Sequence, residues 1–429
     1  MTRRAWYIGA IVVVAIGVFA IAAFVLPNMH FGPYKKLVLL THWQENPEFN
    51  KWYAEKGAEF ARKSGYQVDI LNIPYPGYDA KYLELLSVKT GAPDIFMGLT
   101  HQWCGQHDFC DRMPPELATV YDANLPGYLK SVGKWKDVRY GVPIENGNFQ
   151  QMFINVDMFK AAGLNPDEPP KTMNEWLAAV QKLTIAGTSD REPAQAGFVI
   201  RNKAHPIGMT TDFLSFAHAF GARMLSPELD KATGFANSAE MVAALTFYGD
   251  LALKHKVTNL ALDNPLQAFG QKRAAVLFMT SWYADWLKKN APDVNYRIHA
   301  LPCEKACPGA SVLFPWTDLV NKSSDNKEMA WQFITYISNA RDDLEHHKRQ
   351  GLLPLWTENI ESHYVKARPD YRSVKEMLSR PPAPSYFHPR LYAMASAFGE
   401  AVTGAVEGSK TPQALLDEAA AKMDRILSE

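Results

Sequence analysis

The chain has 429 residues, enough at roughly 100–200 per domain for two or three domains with cores of their own, so a peptide or a disulfide-stapled miniprotein is excluded. With 47% hydrophobic, 12% aromatic and 21% charged residues, it has the composition of an ordered globular protein. Its 45 Lys and Arg balance 45 Asp and Glu, so no broad positive field draws nucleic acid, which is not expected as a partner.

Arg3 and Arg4 precede residues 5–26, which are 22 uncharged and mostly apolar positions. As a helix this stretch would measure about 33 Å, against about 30 Å for a bilayer's hydrocarbon core. With the arginines on the cytoplasmic side, everything after Leu26 is expected to be exported, to the periplasm or the cell surface. Ala20-Ile21-Ala22 offers a cleavage site, but Phe24-Val25-Leu26 stays apolar beyond it. The reading is a retained anchor, with a cleaved signal peptide as the alternative; Thr2-Arg3-Arg4 only faintly resembles a twin-arginine signal. No other stretch reaches the roughly 18 apolar residues of a membrane span, which excludes a polytopic channel or permease.

After a linker over residues 27–34, Leu37-Val38-Leu39-Leu40 reads as a buried strand. Phe49, Tyr53, Gly57 and Phe60 mark one helical face ending at Gly65, and Tyr66, Val68 and Ile70 alternate as a second strand. This is a βαβ unit, hence a parallel sheet and an α/β protein. A helix over 82–88, a strand at Ile95-Phe96-Met97 and a strand at Tyr140-Gly141-Val142-Pro143 follow. Beyond Gly147 a second α/β series is expected, with strands at Phe153-Ile154, 198–200, 274–279 and 296–300 and helices over 213–220, 240–254 and 282–290. Thr172-Met173-Asn174-Glu175 is a capping box, Asp325-Asn326-Lys327-Glu328 caps another helix, and Thr411-Pro412 opens the last one. The final third is mainly helical, crossed by a rigid stretch around Pro381 and Pro382.

Cys104 and Cys110 are six residues apart, and Cys303 and Cys307 four apart. Outside the cytoplasm, two local disulfides are the simplest pairing, although three connectivities are possible. His101, Cys104, His107 and Cys110 could instead hold a soft or borderline metal such as zinc, but this is no standard structural-zinc spacing and the same thiols serve the disulfide.

In this order the segments resemble the extracellular solute-binding proteins of family 1, the maltose-binding-protein-like subunits of ABC importers. The likeness spans residues 35–429 and rests on several short motifs in register. Gly91-Ala92-Pro93-Asp94-Ile95-Phe96 is similar to the family's Gly-x-Pro-Asp-Val turn. Met152-Phe153-Ile154-Asn155-Val156-Asp157-Met158-Phe159 is similar to its Tyr-Tyr-Asn-Lys-Asp-Leu-Phe, and Pro170-Lys171-Thr172-Met173-Asn174-Glu175-Trp176 to its Pro-x-Thr-Trp-x-Glu. Phe269-Gly270-Gln271-Lys272-Arg273-Ala274-Ala275-Val276, with Ser281-Trp282, resembles Phe-x-x-Gly-Lys-Ala-Ala-Met and Gly-x-Trp. Val156 replaces the family's Lys and Ser281 its Gly; the first cysteine is Cys104, so the family's lipid anchor is not expected.

The resemblance implies a type II periplasmic-binding-protein fold of two hinged lobes, 35–145 plus 311–345 and 146–310 plus 346–429, closing on a sugar and presenting it to a permease. It implies a monomer without cofactor. Sugars need flat aromatic faces and planar hydrogen-bonding groups, placed on loops at the carboxyl ends of strands. That selects Trp43, Gln44, Tyr78, Gln102, Trp103, Glu145 and Asn148 from the first series and the crossing after it. From the second it selects Trp282 and Tyr283, then Trp316, Asp318, Tyr386 and Arg390, with Trp282 as the stacking platform by resemblance. The same lobes could take a polyol, a glycerophosphate ester or a peptide; an ester would want a cation such as Arg201, Lys203 or Arg390. An exported glycosidase would need a marked carboxylate pair, which the sequence lacks, as it lacks nucleophile-elbow, zinc-helix and Walker motifs. No enzyme is expected.

Overall fold

The computed structural model describes residues 34–428, except 44–46, 75–77, 89–90, 100–103, 105–107, 146–148, 188, 190–191, 202–205, 263, 304–314, 382, 385, 387 and 389. The candidate span 5–26 lies outside these, and among the described residues no helix is long and apolar enough to cross a membrane.

In chain order the elements begin with β1 (Lys35–Thr41), α1 (Pro47–Ser64), β2 (Tyr66–Asn72), α2 (Tyr78–Ser87), β3 (Ile95–Leu99) and α3 (Pro115–Asn124). Then come β4 (Lys134–Trp135), β5 (Val138–Arg139), β6 (Gly141–Pro143), β7 (Gln150–Asn155), α4 (Val156–Ala161), α5 (Met173–Leu183), β8 (Ala196–Phe198), α6 (Pro206–Ala219) and α7 (Ala239–Leu253). These are followed by α8 (Pro265–Gly270), β9 (Ala274–Thr280), α9 (Tyr283–Asn290), β10 (Tyr296–His299), β11 (Trp316–Val320), α10 (Lys327–Ile337) and α11 (Ala340–Gln350). The chain closes with the short turns α12 (Thr357–Ile360) and α13 (His363–Lys366), then α14 (Tyr371–Ser379), α15 (Leu391–Glu407) and α16 (Pro412–Ser428). It divides into two compact units, residues 1–97 with 319–339 and residues 98–318 with 340–429.

In the first unit β1 is parallel to β2 throughout and to β3, as the βαβ reading requires, and β11 adjoins β3. The apolar stripe of α1, Phe49, Trp52, Tyr53 and Phe60, is buried. Gly57 lets this helix lie close on β2, since a Cβ there would sit 2.9 Å from Val68 Cβ. Asp94 ties the sheet ends together, accepting from the Val38 amide at 2.7 Å, the Ser324 hydroxyl at 2.5 Å and Asn326 Nδ2 at 3.1 Å. Asn326 does precede α10, but its side chain serves Asp94 and leaves the helix without a side-chain cap.

The second unit is built on a four-stranded sheet in the order β10-β7-β9-β8. It is mixed: β8 and β9 are parallel, whereas β7 runs antiparallel to both β9 and β10. Every residue of β7 and β9 is buried, which fits the apolar run of β9 and the apolar centre Met152-Phe153-Ile154 of β7, whose ends are polar. Thr172 and Glu175 form the expected capping box on α5. Helix α15 packs against α6, α7 and α16, and the Thr210 hydroxyl donates to the Ala395 carbonyl at 2.6 Å. The first residues of β11 belong to this unit, where the Trp316 carbonyl takes the Ile144 amide at 3.0 Å.

Candidate functional site

In the first unit the turn after β1 carries an aromatic stack. Trp43 lies 4.0 Å from Phe49, nearly parallel, and 4.4 Å from His42, whose ring is edge-on to Tyr78 at 5.3 Å. Burial pushes the His42 imidazole down to about 4, against the raising effect of its backbone hydrogen bond, so it is neutral at pH 7. Tyr78 is fully buried, its hydroxyl donating to the Met97 carbonyl at 2.8 Å, which places it in the core rather than on a binding surface. Trp43 keeps a partly exposed edge. Gln44, Gln102, Trp103 and Asn148 lie outside the described residues.

Cys104 and Cys110 are bonded to each other, their Cα atoms 4.8 Å apart. That disulfide consumes the thiolates which the alternative metal reading needs. Cys303 is also disulfide-bonded, while its expected partner Cys307 falls outside the described residues.

In the second unit Glu145 follows β6, one residue before the undescribed 146–148. Burial pushes its carboxyl up to about 7, against the opposing pull of His347 and of a hydrogen bond from the Trp316 amide. His347 on α11 directs Nδ1 at the Asp343 carbonyl at 2.7 Å and at its carboxylate at 3.0 Å, and Nε2 at the Ile144 carbonyl at 3.2 Å. Trp316 and Asp318 are buried in β11. Tyr386 is fully buried: its hydroxyl accepts the Met224 amide at 3.1 Å and bonds His218 Nε2 at 3.0 Å. Burial, with help from Arg223, holds His218 down at about 4, so the neutral ring accepts the Tyr386 proton. Arg390 stands at the start of α15, and its amide donates to His388 Nδ1.

A polar cluster lies at the carboxyl ends of β8 and β9, where open α/β sheets bind ligands. Gln150 begins β7 opposite Thr280, the last residue of β9. Gln150 Nε2 donates to Asp212 Oδ1 at 2.7 Å, the Ser215 hydroxyl donates to Gln150 Oε1, and Arg201 Nε donates to Asp212 Oδ2 at 3.3 Å. Arg201 follows β8 through Val199 and Ile200, while Asp212 and Ser215 lie one turn apart on α6. Below them Phe198, Phe216, Phe278 and Tyr248 form a packed aromatic floor with ring separations of 5.0–5.7 Å. Trp282 follows the end of β9, partly exposed and packed on the core of the unit. Tyr283 next to it is fully buried, its hydroxyl donating to the Leu266 carbonyl at 2.6 Å.

Sequence reasoning named Arg201 only for an ester ligand and missed Gln150, Asp212 and Ser215. The available signal was polar residues interrupting apolar runs, at the first position of β7 and on the face of α6 that otherwise carries Phe213 and Phe216.

A mixed α/β fold with binding-type side chains at the carboxyl ends of its strands defines the class of periplasmic-type binding proteins. The same fold occurs in an ABC transporter solute-binding protein from Thermotoga lettingae bound with α-D-tagatose, with a TM-score of 0.76, 23% identity, and 92% of this chain and 100% of that one covered. It also occurs in an Agrobacterium radiobacter solute-binding protein in complex with ribitol, with a TM-score of 0.71, 21% identity, and coverage of 92% and 100%. In sequence the chain is similar to the sn-glycerol-3-phosphate-binding periplasmic protein of Yersinia enterocolitica, 26% identical over 353 residues, 73% of this chain and 74% of that one. A putative binding protein of Brucella abortus is 24% identical over 301 residues, 68% of each chain. Residues 56–372 match the model of the bacterial extracellular solute-binding proteins, and the chain belongs to that family. The family consists of solute-binding proteins, not of enzymes, and acts outside the cytoplasm.

Proposed function

We propose that the protein is the extracytoplasmic solute-capturing component of an ABC importer, taking a sugar or sugar-like polyol and delivering it to permease subunits. The observation that carries this reading is the Gln150, Asp212, Arg201 and Ser215 hydrogen-bond network at the carboxyl ends of β8 and β9, with the partly exposed Trp282 two residues past the end of β9. A sugar offers an apolar C–H face to the ring, and hydroxyls that both donate and accept to the planar polar groups. The solved relatives holding α-D-tagatose and ribitol support this solute class. Trp43, Glu145, Trp316, Asp318 and Arg390 are further candidate contacts. The proposal includes lobes over 35–145 with 311–345 and 146–310 with 346–429, and a membrane anchor at residues 5–26.

A thermal-shift panel of sugars and polyols tests it. A solute at about 100 times its Kd should stabilise the protein by about 2.7 kcal/mol, a shift of several degrees. Trp282→Ala should abolish that shift, while the variant, though its ligand-free melting point is lowered by the packing lost on the core, still melts cooperatively. A panel without any shift would remove the carbohydrate reading.

A second reading, a glycerophosphate ester as solute, is favoured by the Yersinia relative, and Arg201 would be its natural anion contact.

A further inference from the structure

We propose that Asp212 is the specificity residue that keeps anionic solutes out: by compensating the Arg201 guanidinium it leaves the described residues of this polar wall without net charge, suited to uncharged polyhydroxyl solutes and not to their phosphate esters. This rests on the reading above, that the cluster at the ends of β8 and β9 is the solute site.

The geometry assigns the roles. Arg201 uses Nε on Asp212, and among the described residues its two Nη groups have no hydrogen-bond partner, so the open fork is free to meet a ligand. Asp212 cannot swing away cheaply, because its other oxygen holds Gln150, which is only 4% exposed and is itself held by Ser215. Two further hydroxyls at this end of the sheet are buried and, among the described residues, without a hydrogen-bond partner: Thr280 Oγ1, on the residue opposite Gln150, and Tyr248 OH, which feels the charges of both Asp212 and Arg201. Buried hydroxyls without partners are costly unless something supplies their hydrogen bonds. A sugar or polyol supplies bonds of both senses and brings no charge.

A phosphate ester brings a dianion to a guanidinium whose charge is already matched, and sets it beside a carboxylate of its own sign. Attraction from Arg201 is offset by repulsion from Asp212, while the desolvation cost of the phosphate remains. Specificity against the ester thus comes from a repulsive element built into the site.

The test is isothermal titration of the intact protein with ribitol, D-tagatose and maltose on one side and sn-glycerol 3-phosphate on the other. The wild type should bind at least one uncharged solute roughly tenfold or more tightly than the ester, with an affinity that varies little with salt. Asp212→Asn should shift the ratio toward the ester by about tenfold or more and make ester binding salt-sensitive. Adding Arg201→Gln should remove the gained anion binding, which a merely structural role for Asp212 does not predict. If the wild type prefers the ester, or Asp212→Asn leaves the ratio unchanged, the proposal fails while the solute-binding reading stands. Absence of binding by either class removes both. Should Asp212→Asn fail to fold by circular dichroism, the wild-type ratio and its salt dependence still decide.

Discussion

Both ring nitrogens of His347 face oxygen atoms, those of Asp343 on one side and the Ile144 carbonyl on the other, so only the doubly protonated imidazolium can donate to both. Burial alone would lower its pKa, but the charge and hydrogen bonds of Asp343 outweigh it and the net shift is upward. Stability from this clamp is therefore fully present below about pH 6.5 and is lost as pH rises through the folded pKa. Glu145 adds to the same trend: raised to about 7 from an ordinary 4.5, it keeps a proton that the unfolded chain releases, so stability falls between those values as pH rises. His42 and His218 oppose both, for rings lowered to about 4 cost stability as pH falls from 6.5 toward 4. Urea melts from pH 5 to 9 should show an alkaline decline that His347→Gln flattens; an unchanged slope in that variant would dismiss the clamp. The residues around this group that carry or hold protons are Asp343, Glu145, His346, Tyr128 and Tyr364. None of this was legible in the sequence, where His347 reads as one polar position on a charged helix and Ile144 lies 203 residues away.

Local signals survived translation into structure at the level of single elements. The capping box of α5 needs four consecutive residues, and both of its reciprocal bonds form. Thr172→Ala should cost about 1 kcal/mol, read as a lowered urea midpoint. Gly57→Ala should cost about 1–3 kcal/mol, because the added methyl meets Val68 where α1 lies on β2; an unchanged midpoint would mean that helix can back away freely. Where a partner comes from far along the chain, the signal disappears. The candidates chosen as aromatic residues after strands divide on this point: Trp282 and Trp43 keep exposed edges, whereas Tyr78, Tyr283 and Tyr386 turn inward and give their hydroxyls to the interior. Spacing locates a loop but not the side on which its ring will lie. Asp212 and Gln150 are 62 residues apart, so the polar cluster they form emerges only once the sheet of the second unit exists.

For the whole molecule, the order of short motifs sufficed to identify the family and the α/β fold, since each motif marks a turn or helix start that the fold requires. The mixed direction of the second sheet was not legible, because an antiparallel β7 and a parallel one carry the same apolar run. The two units should melt as separate cooperative blocks. In scanning calorimetry Gly57→Ala should move the transition of the first and Thr172→Ala that of the second, and a single shared transition displaced by both would refute this. One strand has a consequence for the timing of synthesis. β11 completes the sheet beside β3, yet it is encoded about 220 residues later. At ~5–20 residues per second, the ribosome needs roughly ten to forty seconds to deliver it. Through that interval the outer edge of β3 waits without its final neighbour, and the early part of the chain stays open to whatever machinery handles unfinished polypeptides.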